Sequence, residues 1–397
     1  MFTIIAIGLG FAAVNVFGGF TAYIFTSLMD GYIYAQGNGH LTIFKKGFNT
    51  DAKRDYERDL ITADERQAIT DILQGLPEVL VVTGQLYISG LLSDGDTSTI
   101  FIATGRVPSD MQEIKHHARG MVKRLSAFTG QPLEDDTLYG VGMSSGLAAR
   151  LELTLGSEAI VMAPTIDGQI NALDVKIFQL FDSPIEGLNN KFMDVPLGLA
   201  QSLYNTTSID RLTVMLQDTR QTEPMKLALT QLFSQHGLDV DIYTWQELSL
   251  LYVRVKKMFD IIFLFLFVIV FIIVVMSIIN TISMAVMERT TEIGTLRALG
   301  LKRYGIVRLF ALESAMLGLL GSLLGVGLTF ICWLVVKMLN ISWIPPTITV
   351  RLPLEIYIVV LYLVSSAVFL VILSIGAAIF PARRAAYRGI VEALGHA

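Results

Sequence analysis

Four long runs without a break of charge constrain this chain before anything else: Phe2 to Met29, Ile261 to Met287, Leu309 to Val336 apart from Glu313, and Ile356 to Ala382. Each is longer than the roughly 20 residues a helix needs to cross a bilayer core of about 30 Å. Composition agrees, with 53% hydrophobic and 16% charged residues and a mean hydropathy of +0.57, values that set the chain among integral membrane proteins.

The rest is one block, Asp30 to Lys257, of ordinary globular composition. It carries 29 of the 35 acidic and 20 of the 30 basic residues. The charges left in the membrane half are skewed. Arg289, Arg297, Lys302, Arg303 and Arg308 sit in the 287–308 connection, and Arg383, Arg384 and Arg388 in the tail. Basic residues concentrated in short segments beside spans mark the cytoplasmic side, so the block and the 337–355 loop are expected outside. The first span has no basic residue before it, and its orientation follows from the other three. It also lacks the basic start and short apolar core of a cleaved signal peptide, so it is expected to remain as a span, with an upstream segment accounting for the missing charges.

Cys332, the single cysteine, lies in the third span, so no disulfide forms within the chain. The outer block must rely on its own core, which about 230 residues can supply. The five histidines show no ligand spacing, and His116 and His117 read as solvated side chains rather than a metal site.

In the outer block, Thr62 followed by Glu65 has the spacing of a capping box, and Gly75 then Pro77 close that helix. "EVLVVTGQLYISGLL" and "TSTIFIATGRV" are β-branched runs bounded by turn residues and read as strands. The block is therefore α+β, and two lobes are expected, with terminal segments around a middle section of strands near 130 to 190. From Leu238 to Ile293 there is neither Gly nor Pro. One helix from about Trp245 to about Arg289, roughly 65 Å long at 1.5 Å per residue, is expected as a stalk joining the block to the cytoplasmic connection.

That connection, "MERTTEIGTLRALGLKRYG", predicts a short amphipathic helix with Ile293, Leu296 and Leu299 on one side, Glu292 and Arg297 on others, and Gly300 ending it in a left-handed cap. A positive-inside anchor needs no ordered apolar stripe or stop signal. A helix that inserts into a soluble partner needs both.

The string Arg289, Glu292, Ile293, Gly294, Leu296, Arg297, Ala298 and Gly300 resembles the signature of FtsX/MacB-type ABC transporter permeases. The tail is similar to that family's ending at Pro381, Arg383, Arg384, Glu392 and Leu394. "SLMDGYIYAQGNGHLTIFKKGF", with Gly39, His40, Leu41, Lys45, Lys46 and Gly47, is similar to the segment after the first span in lipoprotein-releasing (Lol-type) permeases. The resemblance implies a membrane protein of four transmembrane helices with a large α+β periplasmic domain inserted between the first and second. The expected division is 1–29 first helix, 30–244 periplasmic domain, 245–289 stalk and second helix, 290–305 coupling helix and loop, 306–336 third helix, 337–354 periplasmic loop, 355–382 fourth helix and 383–397 cytoplasmic tail.

It further implies an inner-membrane permease without a nucleotide site of its own. A separate soluble ABC ATPase dimer would hold the ATP and Mg and grip the connection at Glu288, Arg289, Glu292, Ile293, Gly294, Leu296, Arg297 and Gly300. A second permease copy or paralogue would flank a lipid cavity. A lipoprotein passed to a periplasmic acceptor is the implied substrate, and no nucleic acid is. Efflux of a drug, peptide or toxin with a periplasmic adaptor, or regulation of a cell-wall hydrolase, are the alternatives. Ser314, Gly318, Gly321, Ser322 and Gly325 form a small-residue face that allows close helix approach, either within one subunit or across a dimer. Glu313 costs about 2.5–3.5 kcal/mol if near the bilayer centre; one turn inside the span, it is expected to pair with a cytoplasmic Arg, or else to take part in conformational coupling. The chain contains no Gly-x-x-x-x-Gly-Lys-Ser/Thr string.

Overall fold

A computed structural model describes residues 1–48, 59–118, 127–183, 186–343 and 351–387. Helix α1 (Phe2–Asp30) opens the chain and passes into a π-helical turn at Gly31–Ala35. Contacts then divide the protein into two compact units. One is Thr26–Val253 with Ser342–Leu352, and the other is Met1–Phe25 with Arg254–Ile341 and Pro353–Ala397.

The first unit runs β1 (Leu41–Lys45), α2 (Ala63–Gln74), β2 (Val79–Ser93), β3 (Ser98–Arg106), α3 (Pro108–His116), β4 (Phe128–Gly130), β5 (Gly140–Ser144) and α4 (Ser145–Arg150). It continues through β6 (Glu158–Pro164), β7 (Ile170–Phe181), β8 (Phe192–Pro196), α5 (Leu197–Tyr204), β9 (Arg211–Leu216), α6 (Thr222–Gln235), β10 (Val240–Thr244) and α7 (Trp245–Leu248). The strands make one sheet in the order β10-β1-β9-β2-β3-β8-β5-β7-β4, with β6 pairing β2 and β7. Helix α2 has the anticipated capping box, the Thr62 hydroxyl accepting from Glu65 N–H and the Glu65 carboxylate accepting from Thr62 N–H. Buried Ile43, Leu86, Ile88, Phe101, Val214, Leu229 and Phe233 build the core between sheet and helices.

The two expected lobes are instead one unit. The 15-residue β2 is the reason: its first part pairs β9, its last residues pair β6, and β3 runs beside it from Gln85 to Ser93. The middle section is therefore stitched into the same hydrogen-bonded ladder as the terminal segments.

The second unit holds the apolar helices α8 (Leu250–Glu288), α10 (Arg303–Leu339) and α11 (Val360–Ala386), with the short α9 (Thr290–Ala298) between α8 and α10, and α1 packed among them. Among the described residues, four helices, α1, α8, α10 and α11, are long and apolar enough to cross a membrane. The continuous helix expected from Trp245 breaks at Ser249, whose φ of −85° and ψ of 77° leave the helical region. From Leu250 the helix then runs 39 residues, about 58 Å at 1.5 Å per residue. The fourth span starts at Val360 rather than near 355, because Tyr357 N–H donates to Gly19 O at 3.1 Å and draws the preceding residues along α1. A Cβ on Gly19 would lie 2.3 Å from Tyr357 O, so only glycine permits that approach.

Candidate functional site

The connection after α8 is built by two helix stops. Glu288 is the last residue of α8, and Arg289, at φ −103° and ψ 21°, turns the chain. Thr290 is buried in the corner, its hydroxyl donating to Val286 O and Met287 O at 2.9 Å each. Those bonds satisfy carbonyls that the end of a helix leaves open. Helix α9 follows and ends at Ala298, and Gly300 at φ +98° takes the left-handed conformation its position predicts.

The stripe divides on folding. Ile293 and Gly294 are buried, and Ile293 joins the apolar core with Ile282, Val286, Ile306, Ala382 and Ala385. Leu296 and Leu299 face outward, Leu299 at 81% exposure, next to exposed Leu301 and Tyr304. Glu288, Arg289 and Glu292 are exposed around them, and Arg297 is half-buried. One side chain thus anchors the helix while four apolar ones stand free above it, among charges of both signs. Sequence reasoning missed Leu301, Tyr304 and Thr290. Leu301 lies in the short link after the Gly300 stop and Tyr304 opens the next helix, so neither shares the period of α9, and a corner threonine has no periodic signal.

Glu313 lies 3.7 Å from Arg289, Oε2 to Nη1, the pairing expected for a carboxylate one turn inside a span. It ties the corner after α8 to the first turns of α10. Arg303 lies over the Tyr387 ring at 4.5 Å and so joins the start of α10 to the end of α11. Of the tail residues, Arg383 and Arg384 fall in the last turn of α11, and Arg388, Glu392 and Leu394 lie outside the described residues.

The small-residue face of α10 is used within the chain. Ser314, Gly318, Gly321, Ser322 and Gly325 are all buried. The Ser314 hydroxyl donates to Ser374 O at 2.6 Å. A Cβ on Gly318 would lie 2.6 Å from Ser374 Oγ, one on Gly321 2.5 Å from Ile7 Cγ2, and one on Gly325 2.6 Å from Phe11 Cβ. These residues pack against α1 and α11 of the same chain.

A polytopic core whose second and third apolar helices are linked by an anchored amphipathic helix, beside a separate mixed α/β unit, defines the class: a membrane permease with a large non-membrane domain. Residues 264–389 match the family model described as FtsX-like permease C-terminal. The chain is similar to FtsX/MacB-type ABC permeases. It is 30% identical over 122 residues to the macrolide export ATP-binding/permease protein MacB of Escherichia coli, a match covering 30% of this chain and 19% of that protein. It is 42% identical over 66 residues to the ABC transporter permease YtrF of Bacillus subtilis, covering 16% of this chain and 15% of that protein. The matched stretches are thus a fifth or less of these relatives' own lengths. Among solved structures, the periplasmic region of MacB from Actinobacillus actinomycetemcomitans aligns with 54% of this chain and 92% of its own at 16% identity and a TM-score of 0.39.

Proposed function

We propose that this protein is the permease subunit of an ABC transporter, turning ATP-driven motion of a soluble ATPase dimer into movement of a periplasmic domain. The observation that carries the reading is the connection built on α9: Ile293 fixes that helix to the helical core, while Leu296 on it, Leu299 and Leu301 just after it and Tyr304 in the first turn of α10 are left exposed. An exposed apolar cluster rimmed by charge marks an interaction site. Because Thr290 and the Arg289–Glu313 pair join α9 to both α8 and α10, a push on α9 reaches two spans at once. Helix α8 is then the stalk, in an inner membrane with the large domain on the periplasmic side. ATP and Mg stay on the partner, and a second permease copy or a paralogue completes the transporter.

Two substrate readings follow. The likeness of the Gly39 to Gly47 segment to Lol-type permeases favours extraction of lipoproteins for a periplasmic acceptor. The relatives named for macrolide export favour efflux of a hydrophobic small molecule. Mass spectrometry of the complex purified in lipid distinguishes them, since an acylated protein is recovered only in the first case.

The coupling role is tested by Leu299→Asp. A charge placed in a docking cluster is expected to cut co-purification of the ATPase by at least about tenfold, as loss of a buried interface anchor does. The side chain is 81% exposed, so insertion and folding should be unaffected. Unchanged co-purification together with unchanged transport would remove α9 as the coupling element.

A further inference from the structure

We infer that the hollow between α3 and the β9-β2-β3-β8 part of the sheet is a binding site for a small organic monoanion, a carboxylate or sulfonate on an apolar body. The inference rests on the outer unit alone and is independent of the transport reading. The hollow has a volume of about 260 Å³ and adjoins a second of about 210 Å³, the two sharing Arg106, Lys115, Phe128, Gln179 and Asp194. Pockets for drug-sized ligands run about 300–1,000 Å³, so the larger hollow suits a smaller molecule.

Strand register builds its floor. Gln85 on β2 is opposite Arg211 on β9 and opposite Arg106 on β3, which makes one row of three across adjacent strands. Two residues along each strand, where side chains return to the same face, Tyr87 is opposite Thr104, and Thr104 is opposite Asp194 on β8. Lys115, in the last turn of α3, is the third cation at the hollow. Phe128, Phe181 and Phe192 supply the apolar wall.

Charge accounting selects the ligand. Asp194 Oδ1 accepts from Arg106 Nη1 at 3.0 Å, and both Asp210 oxygens accept from Arg211, at 3.0 Å from Nε and 2.9 Å from Nη2. Each guanidinium therefore has its own carboxylate. Among the described residues Lys115 forms no ion pair. Arg106 Nε is buried and donates to no acceptor among them. Among the described residues, three cations at the hollow face two carboxylates, and a single negative charge balances that set. A buried donor without an acceptor is costly, and a planar oxyanion accepting from Arg106 Nε and Lys115 Nζ would relieve it. A dianion overshoots this balance, and a neutral molecule leaves it unmet. Burial pushes the Lys115 pKa below its usual range while Asp194 opposes that shift, and an anion seated beside the lysine would act in the same direction as Asp194.

The test uses the full chain in lipid nanodiscs, with empty nanodiscs as the blank for partitioning, titrated calorimetrically with 2-naphthoate, with neutral 2-naphthamide and with inorganic phosphate. Naphthoate is expected to bind at a single site, about tenfold or more tighter than the amide, and phosphate not to displace it. Lys115→Met should weaken naphthoate by about tenfold and leave the amide within roughly twofold, whereas Lys115→Arg should keep most of the acid's affinity. Thermal melts of both variants separate lost binding from lost folding, and Lys115→Arg carries the test if the methionine variant does not fold. Phe128→Ala should weaken acid and amide alike. Equal binding of acid and amide, displacement by phosphate, no saturable naphthoate binding, or an unchanged acid affinity in a folded Lys115→Met protein would each overturn the site.

Discussion

His40 has no exposed surface and serves both ends of its ring: Nδ1 accepts from Leu216 N–H at 3.1 Å, and Nε2 lies 3.0 Å from Thr219 Oγ1. Its main chain extends the tie, the N–H donating to Val214 O and the carbonyl accepting from Trp245 N–H. Burial pushes its pKa down to about 4, with Asp218 pulling the other way. The sign follows from linkage: the unfolded chain, with its histidine near 6.5, takes up a proton before the folded one does. The neutral ring's contribution is complete above pH 6.5 and is lost as pH falls from 6.5 to about 4, on the order of 3 kcal/mol in all. Hydrogen exchange at the Leu216 amide should therefore quicken as pH is lowered through that window, after correction for the intrinsic rate, and His40→Gln should lack the dependence. A wild-type amide whose protection is flat across the window would place the titration elsewhere. In the sequence, Gly39-His40-Leu41 was visible as a motif, but its role was not. The ring's partners lie 176 and 179 residues away, beyond any local pattern.

At the level of the helix, the glycine face of α10 is a close fit rather than a gap. A Cβ at 321 would sit 2.5 Å from Ile7 Cγ2 and 2.6 Å from Ile7 Cβ, so Gly321→Ala requires α1 and α10 to move apart. Overpacking of this kind costs about 1–3 kcal/mol. The substitution should lower the melting temperature of the purified protein, and adding Ile7→Ala should restore most of it. No recovery in the double variant would mean that the strain is not between these two helices. The spacing of Ser314, Gly318, Gly321 and Gly325 announced a close helix approach, yet spacing names no partner. Only burial against Ile7, Phe11 and Ser374 does that. The break at Ser249 was equally hidden, since neither Gly nor Pro marks it. There the capping box of α7, Thr244 with Glu247, and the Trp245–Tyr252 ring contact set the chain's path in place of a helix breaker.

For the molecule as a whole, sidedness rests on where the basic residues fall. In a Cys332→Ser background, cysteines at Leu227 and Leu299, which are 67% and 81% exposed, report on the two sides. A membrane-impermeant maleimide should label Leu227→Cys in intact spheroplasts and Leu299→Cys only after lysis. The reverse pattern would invert the topology. The four spans and the connection between the second and third were legible because lipid demands long uncharged helices and leaves basic residues at one surface. The sheet was legible only strand by strand. Nothing local told β2 that it would pair with β9, β3 and β6, or that β8 would lie parallel to β3. That shared strand bears on how such a domain can change over evolution and in the laboratory. The 128–196 section cannot be exchanged between permeases as a cassette cut at its own ends. A graft that keeps its ladder must bring the whole of β2 and of β3 along with it, so viable chimaeras should recombine upstream, near residue 79.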